Sequence, residues 1–402
     1  MISVGIDVSK EKSMVCMLRP YGEVIASPYE IQHTGSELKK LCDRILSLGE
    51  EVHVVMEATG AYHLPVLSCL HQSDIFVSII NPLVMKRYAG AVLRKGKTDK
   101  IDSVRIANFG IDNWFKLQEY RPLDETYEEL KFLGRQYAHY ISIKVESALT
   151  LACILDRTMP GIKHLLQAKR SEKPTKDKLS DFVEEYWHYD NIIAMSEDDF
   201  INAFHCWAKE KGYHRNQAKA EAIYQMACEG IPTLSSSAPS TKMLTLEAIR
   251  VLREVNQTLQ TILSQMQALA TDLPEYSVIR AMPGVGDVLA PRLMAEVGDV
   301  RRFHSGSALV AYAGIDAPPF QSGAFTGTNR NISKRGSSLL RKTGYEVMKC
   351  LKTSKPTQDS AVYDYILKKE AEGKPKKVAK IAALNKFLRI YYARVKEVYQ
   401  AG

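Results

Sequence analysis

The chain has 402 residues, more than one ordinary core accommodates, so two or three domains are expected. Hydrophobic residues make up 45% and charged residues 25%, a globular balance that excludes a disordered or fibrous chain. Lysine and arginine total 54 against 46 acidic residues, and the resulting charge of +8 favours an anionic partner wherever it is clustered, or only solubility if it is spread evenly.

The seven cysteines stand singly, at Cys16, Cys42, Cys69, Cys153, Cys206, Cys228 and Cys350, with no CxxC pair, so neither a disulfide framework nor a zinc site is expected. His205, Cys206 and His214 lack a second ligand pair and read as chance helical spacing. The start, MISVGIDVSK, is too acidic and too little apolar for a signal peptide. No stretch approaches the roughly 18 apolar residues of a membrane span, and a reducing cytoplasm is the expected location.

Ile2–Ile6, Met14–Leu18 and Glu23–Ile31 read as three strands, the last set off by the Pro20–Gly22 turn. Leu38, Leu41, Ile45, Leu46 and Leu48 then follow helical spacing up to Gly49. Val52–Met56 reads as a strand, Tyr62–His71 as a helix and Ile75–Ile80 as a strand stopped by Asn81–Pro82. Three adjacent strands followed by alternating helices and strands predict an α/β domain over 1–120, a mixed sheet with helices on its faces.

From Asp124 to Arg157 the period is helical, with Leu130, Leu133, Tyr137 and Tyr140 on one stripe. Lys242–Leu273 carries Leu252, Val255, Leu259, Ile262, Met266 and Leu269 at heptad spacing. An antiparallel coiled coil over 121–273 is expected, with 160–240 inserted between its arms. The insertion holds a basic linker (Lys169, Arg170, Lys173, Lys176, Lys178) and ends in the serine-rich Ser235–Ser240; its fold is not legible. A glycine-rich, mainly helical region over 274–355 and a basic helical tail over 356–402, with GKPKKVAK at Gly373–Lys380, complete the chain.

The chemistry concentrates in carboxylates. Asp7 and Glu57 follow the first and fourth strands at their C-terminal ends, where open α/β sheets bind ligands. Asp99 and Asp102, spaced i, i+3, share one face at a helix start. Singly, each is more often a turn or helix-start residue than a catalytic one. Together, four carboxylates would repel unless a divalent cation neutralised them, and hard oxygen ligands suit Mg²⁺, or Mn²⁺. A pair of such ions about 4 Å apart stabilises the attacking and leaving oxygens of phosphoryl transfer.

In the C-terminal region RAMPGVGDVLAPRLMAEVGD reads as helix, glycine turn, helix. The PGVG turn suits a helix connection as well as a phosphate contact. Ser322 lies in PPFQSGAFTGTNRNISKRGSSLLR, between glycines that permit close approach of a nucleic-acid backbone. With no histidine base beside it, it reads as a polar hairpin serine; Ser333, Ser337 and Ser338 are nearby rivals. Arg330, Lys334, Arg335 and Arg341, with Arg94, Lys95 and Lys97 in the first domain, are candidate nucleic-acid contacts.

GIDVSK, MEATG and KTDKIDS, in that order and followed by the SG and SKRG stretch, resemble the DEDD transposases of bacterial insertion sequences. The resemblance covers both ends of the chain but no motif of the insertion. It implies a RuvC-like, ribonuclease-H-like N-terminal domain in which Asp7, Glu57, Asp99 and Asp102 are the metal-binding tetrad. It implies further that Ser322 is the catalytic serine of a C-terminal transposase domain, forming a phosphoserine link to double-stranded donor or target DNA. Composite sites in dimers that pair into a tetramer are also implied, as is a structured bridge RNA that guides the enzyme. Three other readings stand beside it. A Holliday-junction-type nuclease would use water as nucleophile. A sugar-kinase-like ATPase would use GIDVSK as a phosphate turn, though no second glycine-rich phosphate loop accompanies it. A non-enzymatic DNA-binding protein would leave the carboxylates solvated.

Overall fold

The computed structural model describes residues 1–58, 60–90, 98–122, 124–166, 177–317 and 331–400, and the backbone of 321–322 and 325–326. The chain forms two compact units, Met1–Pro122 and Leu123–Gly402.

The first unit opens with an antiparallel meander, β1 (Ile2–Val8), β2 (Lys12–Leu18) and β3 (Val24–Gln32). Helix α1 (Gly35–Leu46) follows, with Thr34 as its N-cap accepting from Glu37 N–H. It leads to β4 (Val52–Glu57), parallel to β1; α2 (Leu64–Gln72) then leads to β5 (Val77–Ile80), parallel to β4. Helices α3 (Pro82–Gly90) and α4 (Asp99–Asp112) complete the unit. The strand order β3-β2-β1-β4-β5, antiparallel on one side and parallel on the other, is the ribonuclease-H-like mixed sheet.

Alternation along β1 explains the layering. Ile2, Val4 and Ile6 are fully buried in a core shared with Leu38 and Leu41 of α1 and Leu70 of α2. Ser3 and Gly5 point to the other face, where α4 lies so close that only small residues fit. A Cβ on Gly5 would collide with the carbonyl oxygen of Ser103 and the nitrogen of Ala107, and would lie 2.9 Å from Ala107 Cα.

In the second unit α5 (Glu125–Thr158) and α11 (Pro239–Thr271) form the long pair. Leu151 and Leu155, near the end of α5, share a core with Ile249 and Leu252; Leu130, near its start, shares another with Met266 and Ala270. The two helices are therefore antiparallel, as the periodicity predicts. The seam differs in detail. Leu263 and Ala270 are buried, while the predicted Ile262 and Leu269 are only partly so. The cause is a second neighbour: this half of α11 also packs on the helix at 286–297, which turns its buried stripe. Helix α5 also corrects the expectation about apolar stretches, since it carries an 18-residue window apolar enough, by length and composition alone, to cross a membrane.

Between the arms lie α6 (Ile162–Leu166), α7 (Lys178–Tyr186), α8 (Asp190–Ile193), α9 (Glu197–Lys211) and α10 (Gln217–Glu229). The insertion is thus a helical body with an aromatic core of Phe182, Tyr189, Phe200 and Phe204, all fully buried. Lys178, assigned to a basic linker by the sequence, begins α7 and sets its ammonium over the rings of Phe204 and Tyr213, 5.3 Å from each centroid.

The remainder comprises α12 (Tyr276–Ala281), α13 (Gly286–Val297), α14 (Gly306–Tyr312), a hairpin of β6 (Gln321–Ser322) and β7 (Phe325–Thr326), then α15 (Ser338–Ser354), α16 (Ala361–Ala371) and α17 (Lys376–Val398). A buried knot ties the ends of this region together: the Tyr127 and Tyr399 hydroxyls both donate to Glu275, at 2.5 and 2.6 Å.

Candidate functional sites: an acidic strand edge and a serine hairpin

In the first unit, β1 and β4 pair in parallel up to Ile6 opposite Met56, so the next residues, Asp7 and Glu57, stand side by side at the strand ends. Both face α4. Asp7 lies two residues beyond Gly5, whose α-face touches Ser103 and Ala107; Glu57 lies two residues beyond Val55, which meets Gly110. Because Gly110 sits over Ser3 and Ser103 over Gly5, α4 runs antiparallel to β1. Its first turn, with Asp99 and Asp102, therefore comes down at the level of Asp7. Thr98 caps that turn, accepting from Ile101 N–H at 3.2 Å.

All four predicted carboxylates thus belong to one edge of the sheet, but they are not in one state. Asp7, Glu57 and Asp102 are part-buried and Asp99 is exposed. Arg105 donates to Asp102 at 2.8 Å, an i, i+3 pair on α4. Lys12, hydrogen-bonded to Glu30 at 2.7 Å and further raised by the charge of Asp99, is held above the usual lysine range. Among the described residues no three His, Cys, Asp or Glu side chains gather as a metal-binding group. The donor chemistry fits a hard divalent cation and the strand register sets two donors together, while Asp102 is engaged by Arg105. Sequence reasoning misses Arg105, although its i, i+3 spacing from Asp102 is a signal that could find it.

In the second unit the β6–β7 hairpin sets Ser322 opposite Phe325. The Ser322 side chain, Arg330 and, in the first unit, Arg94, Lys95 and Lys97 lie outside the described residues. The base of the hairpin segment is well defined. Ser333 N–H donates to Asp316 O at 2.8 Å, Lys334 N–H to Gly314 O at 2.9 Å and Ser337 N–H to Tyr312 O at 2.6 Å. The chains approach so closely that a Cβ on Gly314 would lie 2.7 Å from Gly336 N. Arg341 donates to Ala313 O at 2.8 Å and so belongs to this clamp; Lys334 and Arg335 are exposed beside it.

The rival serines have other partners. Ser333 donates to the Asp316 carboxylate, and Ser337 donates to Glu296 at 2.5 Å while accepting from Leu340 N–H as the cap of α15. Ser338, the first residue of α15, is exposed.

The PGVG turn also resolves. Gly284 adopts a φ of 81°, and a Cβ there would lie 2.9 Å from Leu351 Cγ of α15, so this glycine serves helix packing. At the start of α13, Asp287 pairs with Arg280.

The comparisons with known proteins follow the same division. A transposase model of the DEDD, IS110 type matches residues 4–160, and a second, described as the transposase IS116/IS110/IS902 family, matches residues 276–364. Together they account for more than half of the residues, in the order the motifs predict. The chain belongs to the DEDD transposase family of bacterial insertion sequences. It is 23% identical over 346 residues to the pilin gene-inverting protein of Moraxella lacunata, covering 86% of this chain and 80% of that protein. It is 24% identical over 386 residues to an uncharacterised 44.8 kDa protein of insertion element IS116 from Streptomyces clavuligerus, covering 92% and 89%. Among solved structures, T. thermophilus RuvC in complex with a Holliday junction substrate matches 29% of this chain and 96% of its own, with 11% identity and a TM-score of 0.22. A second Thermus thermophilus RuvC structure matches 30% and 84%, with 17% identity and a TM-score of 0.20. The transposase is therefore an enzyme that cuts and rejoins DNA. The ATPase and non-enzymatic readings fall away.

Proposed function

We propose that this transposase transfers DNA strands through a covalent phosphoserine at Ser322, with Asp7, Glu57, Asp99 and Asp102 as the acidic centre and a bridge RNA as its guide. The observation that carries the proposal is the placement of Asp7 and Glu57 on adjacent parallel strands, both facing α4, beneath the turn that holds Asp99 and Asp102. Support for Ser322 comes from its place on the hairpin and from the hydrogen-bond commitments of Ser333 and Ser337.

In this reading the Ser322 oxygen forms a bond to phosphorus as the bond to the leaving DNA oxygen breaks. A DNA hydroxyl then displaces the serine, so the number of phosphodiesters is conserved and joining needs no external energy. Mg²⁺ or Mn²⁺, when held by the carboxylates, supplies positive charge against the phosphate oxygens. Lys334, Arg335 and Arg341, with Arg330, Arg94, Lys95 and Lys97, hold phosphates without reading sequence. The specificity then comes from the RNA, and the composite site from dimers that pair into a tetramer in the bacterial cytoplasm.

The test is recombination of a plasmid carrying the element's native flanks, with the protein co-expressed with those flanks. Ser322→Ala and Asp7→Asn should each lower joining by about 10³-fold or more while DNA binding persists. Chelation of divalent ions should do the same, and a discrete RNA should co-purify with the protein. Joining that survives Ser322→Ala would overturn the serine assignment, and recombination without any bound RNA would overturn the guide.

A further inference from the structure

Beside the clamped base of the hairpin, a groove of about 360 Å³ opens between α15 and the start of α17. Arg341, Tyr345 and Lys349 follow one another at i, i+4 and i+8 on one face of α15, a span of about 12 Å at 1.5 Å per residue. Lys342 flanks them on the same wall, and Ile332, from the hairpin segment, and Ile381, from α17, supply the apolar sides. Tyr345 is the aromatic floor. The Lys349 and Lys380 ammonium groups stand 5.3 and 5.9 Å from its ring centroid, reaching it from the two helices.

The charge of the groove is one-sided. Its acidic residue, Glu346, is engaged by Arg292 at 2.7 Å, which leaves Lys342 and Lys349 on the groove wall, with Lys380 beside Lys349 at the ring, as the surplus. Arg341 ties the groove to the hairpin through its bond to Ala313 O. An aromatic face ringed by long, flexible cations is the arrangement that takes an unpaired base on the ring and its phosphates on the ammonium groups. A volume of about 360 Å³ suits one or two nucleotides rather than a duplex.

We propose that this groove is a binding site for an unpaired stretch of the DNA strand entering or leaving the serine hairpin, with one base stacked on Tyr345 and phosphates at Lys342, Lys349 and Lys380. The site goes beyond the phosphate contacts already assigned, and its placement in the reaction rests on strand transfer at Ser322. Strand exchange requires DNA ends that are briefly unpaired, and a stacking floor beside the hairpin holds such an end in place for rejoining.

The experiment reads binding of a labelled single-stranded DNA oligonucleotide by anisotropy, in the full chain carrying Ser322→Ala so that no covalent chemistry contributes. Tyr345→Leu should weaken binding about 5- to 100-fold, the worth of one stacked base, while Tyr345→Phe should bind as the parent does. Lys349→Gln with Lys380→Gln should lower the slope of log affinity against log salt by about 1.4, the equivalent of two phosphate contacts on a single strand. Unchanged single-strand affinity in Tyr345→Leu overturns the proposal. Equal losses for duplex DNA, or a loss confined to an RNA oligonucleotide of the same sequence, overturn it too. Because serine chemistry is absent from the assay, failure of the groove and failure of the Ser322 assignment are read separately.

Discussion

Gly5 decides how closely α4 rests on β1. With a methyl group there, the Ser103 carbonyl and the Ala107 backbone must move, and neither is a flexible side-chain end. Gly5→Ala should therefore destabilise the protein by about 1–3 kcal/mol or more, and also lift the turn carrying Asp99 and Asp102 away from Asp7. A lowered melting temperature together with reduced joining is the expected result, and an unchanged melting curve would contradict the packing. His53 supplies a pH prediction. Its ring is stacked between Phe76 and Trp114, with centroids at 3.8 and 3.7 Å, and burial pulls its pKa below the usual histidine value despite the opposing pull of Glu51. Its Nδ1 has no hydrogen-bond partner among the described residues. A group whose folded pKa is lowered takes up its proton more readily when unfolded, so stability is lost as pH falls below about 6.5. His53→Phe should flatten that acid loss in a series of thermal melts between pH 7 and 5; an unaltered pH dependence would remove His53 as its cause.

The pairing of α5 with α11 and α13 depends on a residue with no side chain. A Cβ on Gly134 would lie 2.8 Å from Ala295 Cβ of α13, so α5 and α13 meet nearly backbone to backbone. Gly134→Leu should push them apart and lower the melting temperature by several degrees, with circular dichroism still showing a helical protein; a melting temperature within a degree of the parent would contradict the close approach. At this scale the sequence was readable where one face of an element meets one partner. Alternation is clear at the start of β1, β2 and β4 read as short apolar runs, and α5 and α11 announce themselves by length and spacing. The seam of α11 was misread at Ile262 and Leu269 because α13 covers a second side, and a contact between distant segments leaves no local period. The insertion was illegible for a related reason. Its aromatic spacing, Phe200, Phe204 and Trp207, is helical, but α6 and α8 are only 5 and 4 residues long and the core is shared among α6 to α10.

In the molecule as a whole, the candidate carboxylates and the candidate serine belong to different units, and they are legible to different degrees. The carboxylates are candidates by position, two at the ends of apolar strands and two at a helix start. Of their partners, Arg105 is legible in its i, i+3 spacing from Asp102, whereas Lys12, whose pKa the charge of Asp99 helps to raise, is not, because it lies on a different element. Ser322 carries no local mark of a nucleophile, and only the order of motifs along the chain singles it out. The groove at Tyr345 was hidden altogether, because its cations come from α15 and α17, helices that meet only in the folded unit.

The central claim is a covalent serine–DNA intermediate. The most direct measurement is to stop the reaction on native-flank DNA by denaturation, digest protein and DNA, and map any nucleotide-bearing peptide by mass spectrometry. A nucleotide linked to Ser322 is expected, absent without divalent ions and absent from Ser322→Ala. Cleavage and joining at full rate with no adduct, or an adduct on Ser333, Ser337 or Ser338, would contradict it.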